Sequence, residues 1–239
     1  MHIICHMISS VDGRLRSSAW SRSADPVDIS AVYESAARRF SSDGWIVGRT
    51  TMAEYGEGVT ESQPAEPRPA DSPAPLPFAG RREGRPLAVV FDPKGRLHFA
   101  ASSLPTGEHL TAVLSPNVGD AHLEALRRAG VSYVFEGCGS ERSRLSEALA
   151  SLEAIFGVHT LLLEGGGILN GSFLEADLID EVSLLVYPGI DGVYGSPSVF
   201  GRQCEGEPSP SRHVRLKLID AEPLPGGVVR LHYENRRSA

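Results

Sequence analysis

The chain has 239 residues, of which 41% are apolar and 22% are charged, a balance typical of a globular protein with a substantial core. Its formal net charge of −7 gives no support for binding nucleic acid or anionic membranes through bulk electrostatics. No apolar run approaches the roughly 20 residues that a membrane-spanning helix needs, so a membrane protein is not expected.

Neither the cysteines nor the first residues show the features of a secreted protein. Cys5, Cys138 and Cys204 are scattered along the chain, which argues against a disulfide framework and against a cysteine-rich metal site. The first residues lack the basic segment and apolar core of a signal peptide. We therefore expect a cytoplasmic protein without a metal.

Strands and helices alternate along most of the sequence. Apolar runs bounded by turn residues predict strands, and apolar residues at helical spacing predict helices. The predicted strands are residues 2–8, 45–48, 87–91, 110–115, 131–135, 160–163, 181–187, 214–220 and 228–234. The predicted helices are residues 28–40, 49–55, 120–129, 143–156 and a last one that ends at Ala176. This order indicates an α/β fold, a single domain over residues 1–239 with a mainly parallel sheet flanked by helices and a C-terminal antiparallel strand pair.

Residues 56–86 differ in composition from the rest of the chain. Its central prolines are Pro64, Pro67, Pro69, Pro73, Pro75 and Pro77. We interpret the stretch as a surface insertion, extended or partly disordered and too proline-rich for regular structure. Arg81, Arg82 and Arg85 close it; such arginines are usually solvated, although they could flank a substrate phosphate.

The stretch from Thr160 to Ser172 is the strongest local signal. An apolar run ends at Glu164, three glycines follow, and a helix begins. Glycines let backbone N–H groups approach a ligand, and a helix start suits a phosphate. The residues expected on one apolar helical face are Ile168, Leu169, Phe173 and Leu174. An ordinary turn that binds nothing stays an equal alternative, because a glycine cluster is a weak motif by itself.

Polar residues follow several predicted strands. They are Asp12, Thr51, Ser115 and Glu164, and ligands in parallel sheets bind outside the carboxyl ends of the strands. The motifs of serine hydrolases, zinc proteases and zinc deaminases are absent, which argues against hydrolytic or zinc-dependent chemistry. The pattern favours an extended phosphate-containing ligand such as a dinucleotide, which would carry the difficult chemistry.

One tryptophan stands in an otherwise polar loop. Trp20 lies within the serine- and arginine-rich residues 16–25. It either covers the core or offers a stacking surface to a planar ligand, and the sequence favours neither alternative.

Four ordered blocks carry a family resemblance. They are Met7–Arg14, Asp43–Thr51, Val89–Asp92, and Leu163–Phe173 with Leu178–Glu181 downstream. With these blocks the chain resembles the RibD reductase-domain family, which has a dihydrofolate-reductase-like fold. The resemblance implies NADPH-dependent reduction of the ribose of a phosphoribosylamino-pyrimidine in riboflavin biosynthesis, with hydride passing to the anomeric carbon of the sugar. It also implies a homodimer. The sequence shows no deaminase domain before the reductase, so we expect the reductase activity alone.

The same resemblance assigns roles to individual residues. Ile8 would contact the nicotinamide, Thr51 would bind the cofactor, and Arg49 would meet the extra phosphate of NADPH. The residues implied to hold the cofactor pyrophosphate are Gly166, Gly167, Ile168, Leu169, Asn170, Gly171 and Ser172. The residues implied to contact the substrate are Glu164, Arg39 and Ser18, with Trp20 touching both substrate and cofactor. The proton donor stays open between Asp12, Glu54, Glu164 and a water molecule.

Two departures bear on the substrate. Tyr55 stands where the riboflavin enzymes usually carry Asp, and Pro93 stands where they often have Ser. A reductase of another heterocycle, such as a pterin or dihydrofolate, is therefore the second hypothesis. A non-catalytic nucleotide-binding protein on the same fold is the third.

Overall fold

A computed structural model describes residues 1–69, 71–201 and 214–236, so Cys204 lies outside the described residues. Within them the chain divides into two compact units. The first unit comprises Met1 and Asp43–Leu161, and the second comprises His2–Ser42 and Leu162–Ala239. No helix in the described part combines the length and apolarity that crossing a membrane demands.

Strands and helices alternate in chain order. The strands are β1 His2–Ser10, β2 Gly44–Gly48, β3 Val59–Glu61, β4 Leu87–Phe91, β5 Leu97–Phe99, β6 His109–Leu114, β7 Ser132–Phe135, β8 Thr160–Leu163, β9 Glu181–Tyr187, β10 Leu216–Pro223 and β11 Val229–Asn235. The helices are α1 Ile29–Ala37, α2 Arg49–Tyr55, α3 Asp120–Ala129, α4 Glu141–Phe156 and α5 Gly167–Glu175. Two short 3₁₀ turns occupy Ser17–Ala19 and Pro225–Gly227.

Parallel pairing dominates the first unit. Strands β2, β4, β6 and β7 pair side by side in that order, all parallel. Every residue of β4 and of β6 is buried, as expected for central strands with near-continuous apolar sequence. Their side chains share a core with α3, which ends at Gly130 in the left-handed conformation (φ 73°).

The second unit combines parallel and antiparallel pairing. Strand β1 pairs in parallel with β9, and β9 pairs antiparallel with β11 on its other side. Strand β10 then pairs antiparallel with β11. Helix α1 begins at Asp28, whose carboxylate accepts from the N–H of Ala31 (3.1 Å).

The predicted fold class is confirmed: mainly parallel strands, intervening helices and an antiparallel C-terminal pair. Two helix ends differ from the prediction. Helix α1 ends at Ala37 and not at Phe40, because the chain turns there and the Phe40 ring packs against His6 and His232. Helix α4 begins at Glu141, because Ser140 and not Ser143 caps it, accepting from the N–H of Ser143 at 3.3 Å.

The proline-rich segment is more regular than predicted. It contains β3, which pairs antiparallel with β5, and the sequence analysis missed both strands. Backbone hydrogen bonds hold other described parts of it: Ala65 N–H donates to the carbonyl of Lys94 (3.0 Å), and Arg68 N–H donates to that of Asn117 (2.8 Å). Proline has no backbone N–H group to donate. It therefore suits extended backbone in which few N–H groups take part in hydrogen bonds.

The arginines that close this segment bind backbone carbonyls. Arg82 donates to the carbonyl oxygens of Phe156 (2.7 Å) and Arg85 (2.5 Å). Arg85 donates in return to those of Arg82 (2.8 Å) and Arg81 (2.5 Å). These contacts give Arg82 and Arg85 a structural role at the end of the segment.

Candidate functional site

A turn after β1 carries the first candidate acid. The carboxylate of Asp12 accepts from the hydroxyl of Ser10 at 2.6 Å. It also accepts from the backbone N–H groups of Asp191 (3.0 Å) and Gly192 (2.9 Å). These bonds, the Ser10 hydroxyl foremost, hold the pKa of Asp12 well below its usual range. Asp12 therefore stays ionised and fastens two loops together, which makes it poorly suited to donate a proton.

The indole ring of Trp20 covers part of the core. It stacks on Tyr187 with ring centroids 5.3 Å apart and an angle of 24° between the planes. Ile8 packs against the same buried cluster, which includes Leu185 and Tyr187. Trp20 therefore covers part of the core, and the part of its half-buried side chain that stays exposed is a candidate surface for a ligand. Ser18 is exposed in the neighbouring 3₁₀ turn.

Glu164 follows β8 and is half-buried. The hydroxyl of Tyr33 donates to the backbone carbonyl of His6 (2.8 Å), and the Glu164 carboxylate lies close enough to influence its pKa. Burial, and then the charge of Glu164, raises the pKa of Tyr33 well above its ordinary value. Burial raises the pKa of the Cys5 thiol too, and Glu164 adds to that effect. The half-buried carboxylate of Glu164 is therefore a candidate to contact a ligand beyond the end of β8.

The glycine-rich turn after Glu164 leads into α5. Gly166 caps the helix with φ 49°, a left-handed conformation that favours glycine. The N–H of Asn170 is the first that the helix ladder uses, donating to the carbonyl of Gly166 at 3.1 Å. The N–H groups of the preceding turn are the donors that a helix start offers to an anion.

Two glycines of α5 allow a close contact between chain segments. A Cβ on Gly167 would lie 2.1 Å from the carbonyl oxygen of Ser198, and one on Gly171 would lie 1.9 Å from that of Gly201. The N–H of Gly201 donates to the carbonyl of Gly167 at 2.8 Å. Gly167 and Gly171 are therefore required by packing, whereas Gly166 is required by backbone conformation.

The apolar face predicted for α5 is partly wrong. The buried residues of the helix are Gly167, Asn170, Gly171, Phe173 and Leu174. Ile168 is 62% exposed, and Leu169 and Ser172 are half-buried. The side-chain amide of Asn170 donates to the carbonyl of Val199 at 2.9 Å, so a polar residue and glycines replace the expected apolar stripe. Ile168 at the open first turn is free to face a ligand.

Arg39 lies just past α1. Its guanidinium pairs with Glu222 at 2.5 Å, and Glu222 also lies 3.9 Å from Arg230. The Arg39 side chain is 44% exposed. A substrate phosphate at Arg39 would therefore compete with the carboxylate of Glu222.

In the first unit, Arg49 begins α2 directly after β2. Its guanidinium pairs with Oε1 of Glu61, and the guanidinium of Arg96 binds the same oxygen at 2.8 Å. We call Arg49 and Arg96 the arginine pair. The side chains of both arginines and of Glu61 are about one third exposed, so solvent and ligands can reach them.

Asp92 shapes the turn that carries Arg96. One oxygen of its buried carboxylate accepts from the N–H groups of Arg96 (2.6 Å) and Leu97 (2.8 Å). Among the described residues, the other oxygen has no partner. Burial raises the pKa of Asp92 above its ordinary value, although these two hydrogen bonds and the charge of Arg49 oppose the shift.

The other candidates of the first unit lie on α2. Thr51 is half-buried in its first turn, and Glu54 is exposed. Tyr55 ends the helix, and its side chain lies outside the described part of the chain. Sequence reasoning missed Glu61 and Arg96. The available signal was the turn Asp92-Pro-Lys-Gly, which follows a buried strand and places an arginine at its end.

Each unit, taken by itself, offers donors that suit a phosphate group. The start of α5 in the second unit offers backbone N–H groups and a glycine in a left-handed conformation, which suit a pyrophosphate. The arginine pair of the first unit offers two planar guanidinium groups, which suit a phosphate monoester.

Known proteins resemble the chain in fold or in part of the sequence. A pyrimidine reductase-like protein from Corynebacterium diphtheriae superposes with a TM-score of 0.69 at 20% identity, over 99% of this chain and 92% of that one. The 2,5-diamino-6-ribosylamino-4(3H)-pyrimidinone 5′-phosphate reductase of Archaeoglobus fulgidus is 30% identical over 139 residues, 58% of this chain and 59% of that protein. The enzyme of the same name from Kluyveromyces lactis is 26% identical over 166 residues, 67% of this chain and 63% of that protein.

The structural matches show that the chain has the α/β fold of pyrimidine reductase-like proteins. The chain spans less than two thirds of the length of the two sequence relatives. Residues 1–230 match the RibD C-terminal domain, which is nearly the whole chain. The chain belongs to the RibD C-terminal domain family.

Proposed function

We propose that the chain is an NADPH-dependent reductase that acts on a 5′-phosphoribosylamino-pyrimidine. The match of residues 1–230 to the RibD C-terminal domain carries the proposal. The names of the two sequence relatives, both reductases of a ribosylamino-pyrimidinone 5′-phosphate, support the substrate class. Hydride would pass to the anomeric carbon of the ribose and yield the ribityl group.

In this proposal the start of α5 holds the cofactor pyrophosphate. Gly166 keeps the backbone open, and the helix dipole favours the negative charge. Ile168 and Leu169 would border the cofactor, while Asn170 holds the turn in place through Val199. Ser172, on the same helix, would contribute from the second turn. Thr51 and Arg49 would bind the adenosine end, and Ile8 and Trp20 would border the nicotinamide.

Substrate binding is assigned to Arg39, Ser18 and Glu164. The single positive charge of Arg39 suits the 5′-phosphate, provided that Glu222 gives way. Ser18 is exposed and can donate or accept a hydrogen bond. Glu164 would contact the reacting sugar through its carboxylate.

Glu164 is also the favoured acid. The pKa of Asp12 is lowered by its hydrogen bonds to Ser10 and to the loop at Asp191, so Asp12 is a poor proton donor. Glu54 is exposed to solvent. Glu164 lies beside the Tyr33 hydroxyl and the Cys5 thiol, and burial raises the pKa of both groups. That setting suits a carboxyl group that holds a proton for the reduced sugar.

The primary test is oxidation of NADPH by the purified protein with the phosphoribosylamino-pyrimidine, with dihydrofolate assayed in parallel. Turnover of the pyrimidine is expected. Tight NADPH binding with turnover of neither compound would remove the substrate assignment and keep the cofactor assignment.

A set of matched acid variants locates the proton donor. We expect Glu164→Gln to lower kcat by roughly 10²-fold or more, because a positioned general acid typically contributes that much. Glu54→Gln should keep kcat within a few-fold. A larger loss in Glu54→Gln than in Glu164→Gln would reverse the assignment.

A related reductase of another heterocycle is the second candidate. Tyr55 in place of the usual Asp, and the ordered proline-rich segment that follows it, favour a different substrate shape. Dihydrofolate turnover that exceeds pyrimidine turnover would establish this alternative.

A Gly166→Asp variant separates catalysis from mere nucleotide binding. The substitution adds a carboxylate and a Cβ at a left-handed position, so NADPH affinity and turnover should both fall. A folded wild-type protein that binds NADPH but reduces none of the tested compounds would favour a non-catalytic role.

We also propose a homodimer, on family resemblance alone. Analytical ultracentrifugation at micromolar concentration should give twice the 25.6 kDa chain mass. A single species at the chain mass would remove this proposal without affecting the reductase assignment.

A further inference from the structure

The arginine pair is already neutralised in part by the protein itself. One oxygen of Glu61 accepts from both Arg49 and Arg96, the latter at 2.8 Å. The buried carboxylate of Asp92 binds the backbone of the same turn. Two guanidinium charges thus share one carboxylate that is about one third exposed, and a second carboxyl group binds the backbone of the turn that carries Arg96.

The cluster is built into the backbone on both sides. Glu61 ends β3, opposite Leu97 of β5. Next to it, the N–H of Ser62 donates to the carbonyl of Arg96 (2.8 Å), and the Arg96 Nε donates back to the carbonyl of Ser62 (3.0 Å). Arg96 is therefore held against the strand that supplies its counter-ion. Arg49 reaches the same oxygen from α2.

A carboxylate oxygen between two guanidinium groups occupies the place that a phosphate oxygen would take. Both anions bind arginine through short charge-assisted hydrogen bonds of the same geometry. A phosphate monoester can engage the arginine pair only by displacing Glu61 or by lying beside its negative charge. Glu61 is 28% exposed and can swing into solvent.

We propose that Glu61 determines the preference of this chain between NADPH and NADH, an inference that rests on the proposed reductase function. The phosphate on the adenosine ribose of NADPH must either displace Glu61 from the arginine pair or lie beside its negative charge. NADH lacks that phosphate and leaves the shared ion pair intact. Glu61 therefore lowers the affinity for NADPH and leaves that for NADH almost unchanged.

The test measures dissociation constants of NADPH and NADH by titration calorimetry for the wild type and for Glu61→Gln. We expect the preference for NADPH over NADH to rise roughly tenfold or more in the variant, through tighter NADPH binding, because a hydrogen bond to a charged group contributes about that much. The dissociation constant of NADH should change less than about twofold. Glu57→Gln, an exposed carboxylate on the same segment, is the matched control and should leave the ratio unchanged.

Two further variants protect the test against a folding defect. Glu61→Asp keeps the charge on a shorter side chain and should raise the ratio less than Glu61→Gln. Arg96→Gln should weaken NADPH binding and spare NADH, because it removes one of the two guanidinium groups. Circular dichroism reports whether each variant folds.

The outcomes separate the inference from the function on which it rests. An unchanged or lowered ratio in folded Glu61→Gln, with a wild type that binds NADPH, overturns the inference and leaves the proposed function standing. A folded wild type that binds neither dinucleotide overturns both. A ratio that rises in Glu61→Gln and not in Glu57→Gln supports the assignment of Glu61.

Discussion

The start of α5 and the arginine pair offer an anion two different kinds of site. The α5 start is made from backbone, and Gly167 and Gly171 contact another segment so closely that a methyl group does not fit. The arginine pair is made from side chains, about one third exposed, that share Glu61. A backbone site depends on shape, whereas a side-chain site depends on charge. Substitutions in the first should therefore cost stability, and substitutions in the second should change selectivity.

The largest effect is expected from Gly171→Ala. The new Cβ would lie 1.9 Å from the carbonyl oxygen of Gly201, which is backbone and cannot easily give way. We expect a loss of about 3 kcal/mol or more in the free energy of unfolding, measured by urea denaturation. The matched control is Gly201→Ala on the opposite side of the contact, where the added Cβ has its nearest neighbour at 3.7 Å. Equal stability of the two variants would contradict the packing argument.

A smaller effect is expected from Asn170→Ala. Asn170 is fully buried, and the substitution removes the donor to the carbonyl of Val199. The expected loss is about 1–3 kcal/mol, the cost of leaving a buried acceptor without its partner. Ser172→Ala, half-buried on the same helix, should stay within about 0.5 kcal/mol. A loss in Ser172→Ala that matches that of Asn170→Ala would point to general helix sensitivity instead.

The pH dependence of stability distinguishes a contact that depends on shape from a group whose contribution depends on its charge. Buried His109, 2.6 Å from the Ser132 hydroxyl, has its pKa lowered to about 4, first by burial and then by the charges of Arg85 and Arg82. The unfolded chain, with a histidine pKa of about 6.5, binds more protons between these two values. The stability that neutral His109 contributes is thus complete above about pH 6.5 and is lost as the pH falls towards 4.

The corresponding measurement compares unfolding at pH 7 and pH 5.5. The wild type should lose about 1 kcal/mol more than His109→Gln over this interval. The destabilisation caused by Gly171→Ala should be the same at both values, because that contact contains no titrating group. Parallel pH dependences of the wild type and His109→Gln would show that His109 is not the source.

The smallest effect on stability is expected from Glu61→Ala. Ion pairs between side chains that are one third exposed typically contribute less than about 1 kcal/mol. Thermal unfolding at low and high salt should show a small difference that shrinks as salt is added. A loss of several kcal/mol would mean that Glu61 holds β3 in place, and the contrast between the two sites would fail.

The sequence predicted those elements whose ends are determined by residues that are neighbours in the chain. Helix α3 was predicted with its observed bounds, because Asp120 at its start and Gly130 at its end are helix signals in the sequence itself. The glycine-rich turn was recognised for the same reason, since a strand, a glycine run and a helix are adjacent in the chain.

Contacts between distant segments were not predictable in this way. Strands β3 and β5 have three residues each, and only their mutual pairing makes them strands. The ion pair between Glu61 and Arg96 depends on that strand pairing, so no local sequence pattern predicts it. The face of α5 was misjudged because glycines packed against residues 198–201 replace an apolar stripe.

The proline-rich segment has one consequence for the outer side of β7. Strand β7 pairs with β6, and its Tyr133 exchanges two backbone hydrogen bonds with Phe78 of the segment, at 3.0 and 2.9 Å. The N–H of Gly80 continues the contact by donating to the Ser132 hydroxyl at 2.9 Å. An open strand edge is a template for pairing with other chains. Through Phe78 and Gly80 the segment thus covers part of the free edge of β7, and a variant that lacks it is expected to aggregate.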